Sequence, residues 1–184
     1  MGELDDLIQK RRAYRSLRPA AISGEMIRKL AGAASLSASC NNNQPWRFVF
    51  VTDPGILMGL AGTMSKNNDW SRSASMIIGV VSRKELDCMP GDRDYYLFDT
   101  GMASAFLILK ATDMGLVAHP IAGYDEARAK EVLKIPEEMR LITLIICGEH
   151  DEAMNPLLTE SQVKREIPRP ERKPLDEIMR LNRF

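Results

Sequence analysis

Ser39-Cys40-Asn41-Asn42-Asn43-Gln44-Pro45-Trp46-Arg47-Phe48 sets a crowded run of amides directly against an apolar strand. Asn41, Asn42, Asn43 and Gln44 each offer donors and an acceptor, so the loop can match the mixed polar edge of a heterocycle. The competing reading is a solvated turn, because asparagines favour turns. Pro45 blocks a helix, and the apolar residues from Trp46 onward predict a buried strand over Arg47 to Thr52.

On the N-terminal side of this strand, Leu4, Leu7, Ile8 and Leu17 fall near one helical stripe. They predict an amphipathic helix from Leu4 to Leu17 with a basic end, Lys10-Arg11-Arg12-Ala13-Tyr14-Arg15. Ser23 can cap a second helix reaching about Ser37, with Glu25 in its first turn. On the C-terminal side, Pro54 suits the first turn of a short helix containing Leu57 and Leu60, and the polar stretch Ser65 to Trp70 follows. Met76 to Val81 reads as a second buried strand.

Phe98, Met102, Ala105, Phe106, Leu109 and Thr112 recur at helical spacing. With Leu97, Ala103, Leu107 and Ile108 on other faces, they predict a helix from Tyr96 to Met114 buried on most sides. Gly115 ends it. Val117 to Gly123 reads as an irregular segment broken by Pro120, Asp125 caps a helix reaching Ile135, and Leu141 to Cys147 forms the closing strand. Beyond Glu149, Pro156, Pro168, Pro170 and Pro174 punctuate a polar tail. It ends in an amphipathic piece with Leu175, Ile178, Met179 and Leu181, which predicts that the tail wraps its own domain or a partner subunit.

The 184 residues fit one domain, and 45% hydrophobic with 27% charged residues is the balance of an ordinary globular protein. A formal net charge of +0 argues against nucleic-acid binding by bulk electrostatics, so any anion site must be local. The acidic start, Met1-Gly2-Glu3-Leu4-Asp5-Asp6, lacks the pattern of a signal peptide, no apolar run approaches membrane-spanning length, and a cytoplasmic address is expected. Cys40, Cys88 and Cys147 are odd in number and widely spaced, which fits neither a disulfide framework nor a zinc site. With only His119 and His150 beside them, no metal is expected. Cys147 reads as a core thiol, whereas Cys40 could face a ligand. The order of elements is not a regular strand-helix alternation and no Gly-x-Gly-x-x-Gly occurs, so a doubly wound dinucleotide fold is disfavoured.

Taken in order, Arg11-Arg12-Ala13-Tyr14-Arg15, the loop Ala38 to Trp46, the long apolar helix, His119-Pro120-Ile121-Ala122-Gly123-Tyr124 and Pro168-Arg169-Pro170-Glu171-Arg172-Lys173-Pro174-Leu175 resemble the nitroreductase family across nearly the whole chain. The resemblance implies an α+β fold with a central mixed, mainly antiparallel sheet flanked by helices. It implies a homodimer with FMN at the subunit interface and a C-terminal tail wrapping the partner. In it, Arg11, Arg12 and the backbone of Ala13 match phosphate and ribityl contacts, and Arg169 or Arg172 returns to the same phosphate. Arg15 matches the residue at the flavin pyrimidine edge, where a fixed cation favours the reduced anion. Asn67 matches an amide on the same edge, with Asn68 one residue away.

Ser39, Cys40, Asn42 and Gln44 match the loop given by the other subunit. Pro120, Ile121, Ala122 and Gly123 match the segment near N5, through the backbone of Ala122 and Gly123. Many members carry Ser where this chain has Ala13 and Cys40, which makes Cys40 a serine substitute rather than a redox thiol, and an acidic residue where it has Ala122. The implied reaction is ping-pong: NADH or NADPH reduces the flavin, and a nitroaromatic, quinone or similar acceptor reoxidises it. That scheme needs no protein acid or base, in keeping with the lack of a His/Asp or Cys/His constellation. Relatives that dehalogenate aromatics rely on extra loops, for which little room exists between Trp70 and Tyr96. A non-catalytic module holding another phosphorylated ligand or RNA is the reading from a different class.

Overall fold

The computed structural model describes residues 2–184. Its sheet is built on β5 (Arg140–His150), which pairs with β3 (Met76–Ser82) on one side and β4 (Val117–Ile121) on the other. The outer neighbour of β3 is β2 (Arg47–Val51), and the two-residue β1 (Leu17–Arg18) pairs with His150 and Glu149 at the end of β5. Every pairing among the described residues is antiparallel. The expected mainly antiparallel sheet is therefore present, and its mixed component is absent from these pairings.

β3 explains why its sequence is an unbroken apolar run. Met76, Ile78 and Val80 face the packed helices α2 (Gly24–Ser35) and α4 (Tyr95–Asp113), with Leu30, Ala34, Ala103 and Leu107 in the same cluster. Ile77 and Val81 face the other way, towards α3 (Pro54–Ala61) and α5 (Glu126–Leu133), with Leu60, Ala129 and Leu144. A strand buried on both faces shows no polar alternation.

The helix caps follow the sequence. Ser23 Oγ accepts from Met26 N at 3.1 Å, Asp53 Oδ1 from Ile56 N at 2.9 Å and Asp125 Oδ1 from Arg128 N at 3.1 Å. Gly115 follows α4 with φ +79°, the left-handed conformation that suits glycine.

Three expectations require correction. The first helix, α1 (Glu3–Lys10), stops before the arginines instead of reaching Leu17. A helical Arg15 N–H would bond to the Arg11 carbonyl, but the carboxylate of Glu166 takes that N–H while Arg169 takes that carbonyl. Val117–Ile121 is a strand. Because β4 pairs with β5 alone, it is an edge where Pro120 is tolerated. Finally, α4 is not buried on most sides: Tyr96, Asp99, Ala103, Leu107 and Ala111 face the core, while Leu97, Phe98 and Phe106 are exposed.

Past β5 the chain forms α6 (Glu160–Glu166), which the sequence reading did not anticipate, and the single turn α7 (Leu175–Ile178). Residues 170–184 are exposed throughout, including Leu175, Ile178, Met179, Leu181 and Phe184. The end of the tail therefore does not bury its apolar residues on its own domain, whereas Leu158 nearer its start packs against the core. A second apolar surface lies elsewhere, where Leu4, Leu7, Ile8, Leu36, Phe106 and Leu109 line a groove of about 810 Å³ between α1 and α4. Among the described residues no helix is long and apolar enough to cross a membrane.

Candidate functional site

Glu166 organises the N-terminal segment. This side chain is 2% exposed, and its Oε1 accepts from Arg15 N at 2.7 Å and Ser16 N at 2.6 Å. Its Oε2 lies 3.9 Å from the Arg15 guanidinium. The guanidinium of Arg12 donates to the carbonyls of Glu166, Ile167 and Pro168 at 3.0–3.2 Å. Arg169 donates in return to the carbonyls of Gln9 and Arg11. The start of the tail is thus stitched to the residues just after α1.

Arg11 and Arg172 are left over from this stitching. Neither has a carboxylate within 4.0 Å or a side-chain hydrogen bond among the described residues, although the four arginines stand together. Burial lowers the proton affinity of the Arg11 guanidinium, and Arg169, Arg172 and Arg12 lower it further. Like charges held this close, without counter-ions among the described residues, repel one another and would be relieved by an anion. Ala13 lies within the same partly buried extended segment.

Two further predicted segments join this region. Asn68 Nδ2 donates to the Gly123 carbonyl at 3.0 Å, Ser65 N donates to the same oxygen at 2.9 Å, and Gln162 Nε2 donates to the Asn67 carbonyl at 2.7 Å. Asn68 is therefore committed to the fold, while the Asn67 side chain is exposed and uncommitted among the described residues. A Cβ on Gly123 would come within 2.6 Å of Ser65 Oγ and 2.9 Å of Asn68 Nδ2, so a larger residue here would push both side chains aside and disturb the Asn68 bond. Ile121 packs its side chain into the core and its carbonyl accepts from Thr143 Oγ1, whereas Pro120 and Ala122 are exposed.

His119 ties the region to the sheet. Its Nδ1 lies 3.0 Å from the Tyr14 carbonyl, and its ring packs tilted on Trp70 with centroids 4.7 Å apart. Burial pushes the imidazole down to about 4, and the nearby Arg15 and Arg11 oppose protonation while the Tyr14 carbonyl and Glu166 favour it. The unfolded chain takes up this proton near pH 6.5 and the folded one does not. Stability held above pH 6.5 is therefore lost as pH falls towards 4, by about 1.4 kcal/mol per pH unit and about 3 kcal/mol in all. Urea unfolding of wild type and His119→Gln across that window measures it. The variant is expected to lose less on acidification, and parallel curves would exclude His119 as the source.

The amide loop lies apart. Cys40–Asn42 forms a short 3-10 turn in which Asn41, Asn42 and the following Gln44 have φ of 50°, 57° and 49°. Ser39 Oγ accepts from Gln44 N at 3.0 Å, Cys40 N donates to Asp99 at 2.7 Å and Asn43 Nδ2 donates to Asp87 at 3.3 Å. Burial pushes the Asp99 carboxyl up, the Cys40 N–H opposes this, and the neighbouring Asp87 adds to it. No hydrogen bond or ion pair among the described residues joins this loop to the arginine cluster.

Cys40 is disulfide-bonded to Cys88, which overturns both the reading of the cysteines as unpaired and that of Cys40 as a stand-in for serine. Forty-eight residues separate the pair, a spacing that carries no signature, so only the fold brings them together. Cys147 is free and fully buried, as its apolar strand implies. Sequence reasoning also missed Glu166, Asp87 and Asp99. An isolated carboxylate in a charged segment carries no pattern that announces burial.

The family model for the nitroreductase family matches residues 8–61 and 60–149. A solved oxidoreductase containing FMN superposes with TM-score 0.83 at 26% identity, covering 100% of this chain and 95% of that one. A nitroreductase family protein from Clostridium novyi NT superposes with TM-score 0.76 at 26% identity, covering 82% and 87%. An Archaeoglobus fulgidus protein provisionally named an NADH dehydrogenase/NAD(P)H nitroreductase is 28% identical over 169 residues, 85% of this chain and 95% of the relative. An iodotyrosine deiodinase from Haliscomenobacter hydrossis is 28% identical over 175 residues, 80% and 79% of the two chains. The α+β architecture and these matches define a nitroreductase-fold oxidoreductase class. The chain belongs to the nitroreductase family.

Proposed function

We propose that this chain is an FMN-dependent oxidoreductase that takes hydride from NADH or NADPH and passes it, in ping-pong order, to nitroaromatic, quinone or similar acceptors. The observation that carries the reading is the convergence of Arg11, Arg12, Arg169 and Arg172 without a carboxylate counter-ion among the described residues. Such a seat fits a terminal phosphate of nearly two negative charges. Arg11 and Arg172 would hold the phosphate, helped by the remaining donors of Arg12 and Arg169 and by the backbone of Ala13. Arg15 and Asn67 would meet the pyrimidine edge, and Pro120, Ile121, Ala122 and Gly123 would border the ring. FMN, when bound, supplies the hydride chemistry, and a cytoplasmic location belongs to the same proposal.

A homodimer belongs to the same proposal. Ser39, Cys40, Asn42 and Gln44 have no bond to the arginine cluster of their own chain, which fits a loop serving the site of a second copy. The exposed Leu4, Leu36, Phe98 and Phe106, with the apolar tail, supply a surface for that copy to cover. The similarity to an iodotyrosine deiodinase favours reductive dehalogenation as a second reading, with the same cofactor and another acceptor.

The test is an absorption spectrum of purified protein, identification of the chromophore released on denaturation, and sedimentation equilibrium. FMN released from a yellow dimer, with parallel double-reciprocal lines in steady state, is expected. Intersecting lines would remove the ping-pong order. A colourless monomer that stays colourless with added FMN would replace the proposal with a non-catalytic module for another phosphorylated ligand. Comparing nitroarene, quinone and halophenol reduction separates the two catalytic readings.

A further inference from the structure

We infer that Cys40 and Cys88 are a reversible thiol–disulfide pair that sets the conformation of the Ser39–Gln44 loop, with dithiols as exchange partners. The inference rests on the flavin reading only in that this loop is assigned to the cofactor site of a second copy.

The bond joins the loop to the segment leading into α4, two parts of the chain that otherwise meet through Asp87 and Asp99. Three non-glycine residues of the loop, Asn41, Asn42 and Gln44, hold φ between 49° and 57°. Residues in that region are held there by their surroundings, and asparagine tolerates it better than glutamine does. Asn41 and Asn43 also donate to Cys88 Sγ at 3.4 and 3.5 Å, so the amides close over the sulfur they depend on. Opening the bond removes the one covalent restraint on this turn.

The pair is also placed for exchange. Cys40 and Cys88 are half-buried beside exposed Asn41, Asn42 and Met89, whereas Cys147 is fully buried with its thiol pushed up to about 12. A dithiol can therefore reach the first two sulfurs and not the third. A thiolate of the dithiol attacks Cys88 Sγ, the Cys88–Cys40 bond breaks, and Cys40 leaves with the electron pair and takes up a proton. The second thiolate attacks the mixed disulfide and releases Cys88, closing the dithiol into its own disulfide. Two electrons and two protons have moved from the dithiol to the pair. Disulfides that a reducing dithiol can reach are characteristically the labile, regulatory ones, the behaviour this arrangement supports.

The experiment equilibrates the full-length purified protein in oxidised and reduced dithiothreitol mixtures. Native-state alkylation counted by mass spectrometry is followed by peptide mapping, FMN titration and limited proteolysis of both states. Cys40 and Cys88 are expected to become alkylated together while Cys147 stays protected. The reduced protein is expected to bind FMN about tenfold more weakly, equivalent to about 1.4 kcal/mol, and to be cleaved faster between residues 39 and 44. Cys88→Ser should match the reduced state with or without reductant, and if it fails to fold, the wild-type comparison decides alone. Free alkylation of Cys40 and Cys88 in the oxidising mixture, or stoichiometric zinc held by Cys40, Asp87 and Cys88 in their place, would overturn the inference. So would identical FMN affinity and cleavage in both states. Should neither state bind FMN, the flavin reading falls and cleavage decides by itself: faster cutting on reduction upholds the pair, and equal cutting refutes it.

Discussion

Replacing Glu166 by Ala is expected to cost about 3–5 kcal/mol of folding free energy, the scale for removing one partner of a buried charged pair. Oε1 is the acceptor for both Arg15 N and Ser16 N, and Ser16 is 1% exposed, so truncation strands the Ser16 donor away from water and leaves the half-buried Arg15 donor without its partner. Each orphaned donor contributes about 1–3 kcal/mol to that cost. The Arg15 guanidinium also loses its counter-ion. Glu166→Gln separates these effects, because the amide keeps a carbonyl oxygen for the two N–H groups while removing the charge. It is expected to cost less than half as much as Ala. Chemical unfolding without added FMN gives both numbers, and an Ala variant within 1 kcal/mol of wild type would show that the stitch between segment 11–16 and the tail contributes little.

The same residue explains where the sequence was opaque. The period-3.6 pattern from Leu4 to Leu17 was real as far as Lys10, but the arginines after it are held by contacts about 150 residues away in sequence. Local pattern carries no information about a partner so distant. β3 was legible because both of its faces are buried, so its apolar run needed no context. The caps at Ser23 and Asp125 were legible because capping is decided within three residues. Pro120 misled, since proline argues against a strand except at an edge, and edge position is a property of the whole sheet. The apolar stripe on α4 was read correctly as apolar, but Phe98 and Phe106 do not face this chain's own core. Periodicity identifies a face that must be covered without naming what covers it.

For the candidate site, the residue types were readable and their division of labour was not. Asn67 and Asn68 are equivalent in sequence, yet only Asn68 is spent on the Gly123 carbonyl. Likewise five arginines look alike in the chain. The fold commits Arg12 and Arg169 to backbone carbonyls and Arg15 to Glu166, leaving Arg11 and Arg172 unpaired among the described residues. Cys88 was invisible as a partner because its link to Cys40 depends on α4 and the amide loop meeting in space.

That division leads to the second large effect. Arg11→Met and Arg172→Met are each expected to weaken FMN binding by about 10- to 150-fold, because a charge-assisted bond to phosphate contributes about 1.5–3 kcal/mol. Without FMN the same substitutions should leave stability unchanged or slightly raised. Arg11→Met removes a cation that Arg169, Arg172 and Arg12 crowd, Arg172→Met removes one of the charges that crowd it, and neither breaks a hydrogen bond within the described residues. Opposite signs for affinity and stability distinguish a ligand seat from a structural cluster, in which both would fall together. Arg12→Met supplies the contrast: its three carbonyl bonds are structural, so it should lower stability as well as affinity. Flavin fluorescence titration at two salt concentrations, paired with thermal unfolding of the apo-protein, reads all three variants. If Arg11→Met and Arg172→Met bind FMN within threefold of wild type, the unpaired arginines serve some other anion. If they destabilise the apo-protein as Arg12→Met does, the convergence is a structural clasp and no phosphate seat exists there.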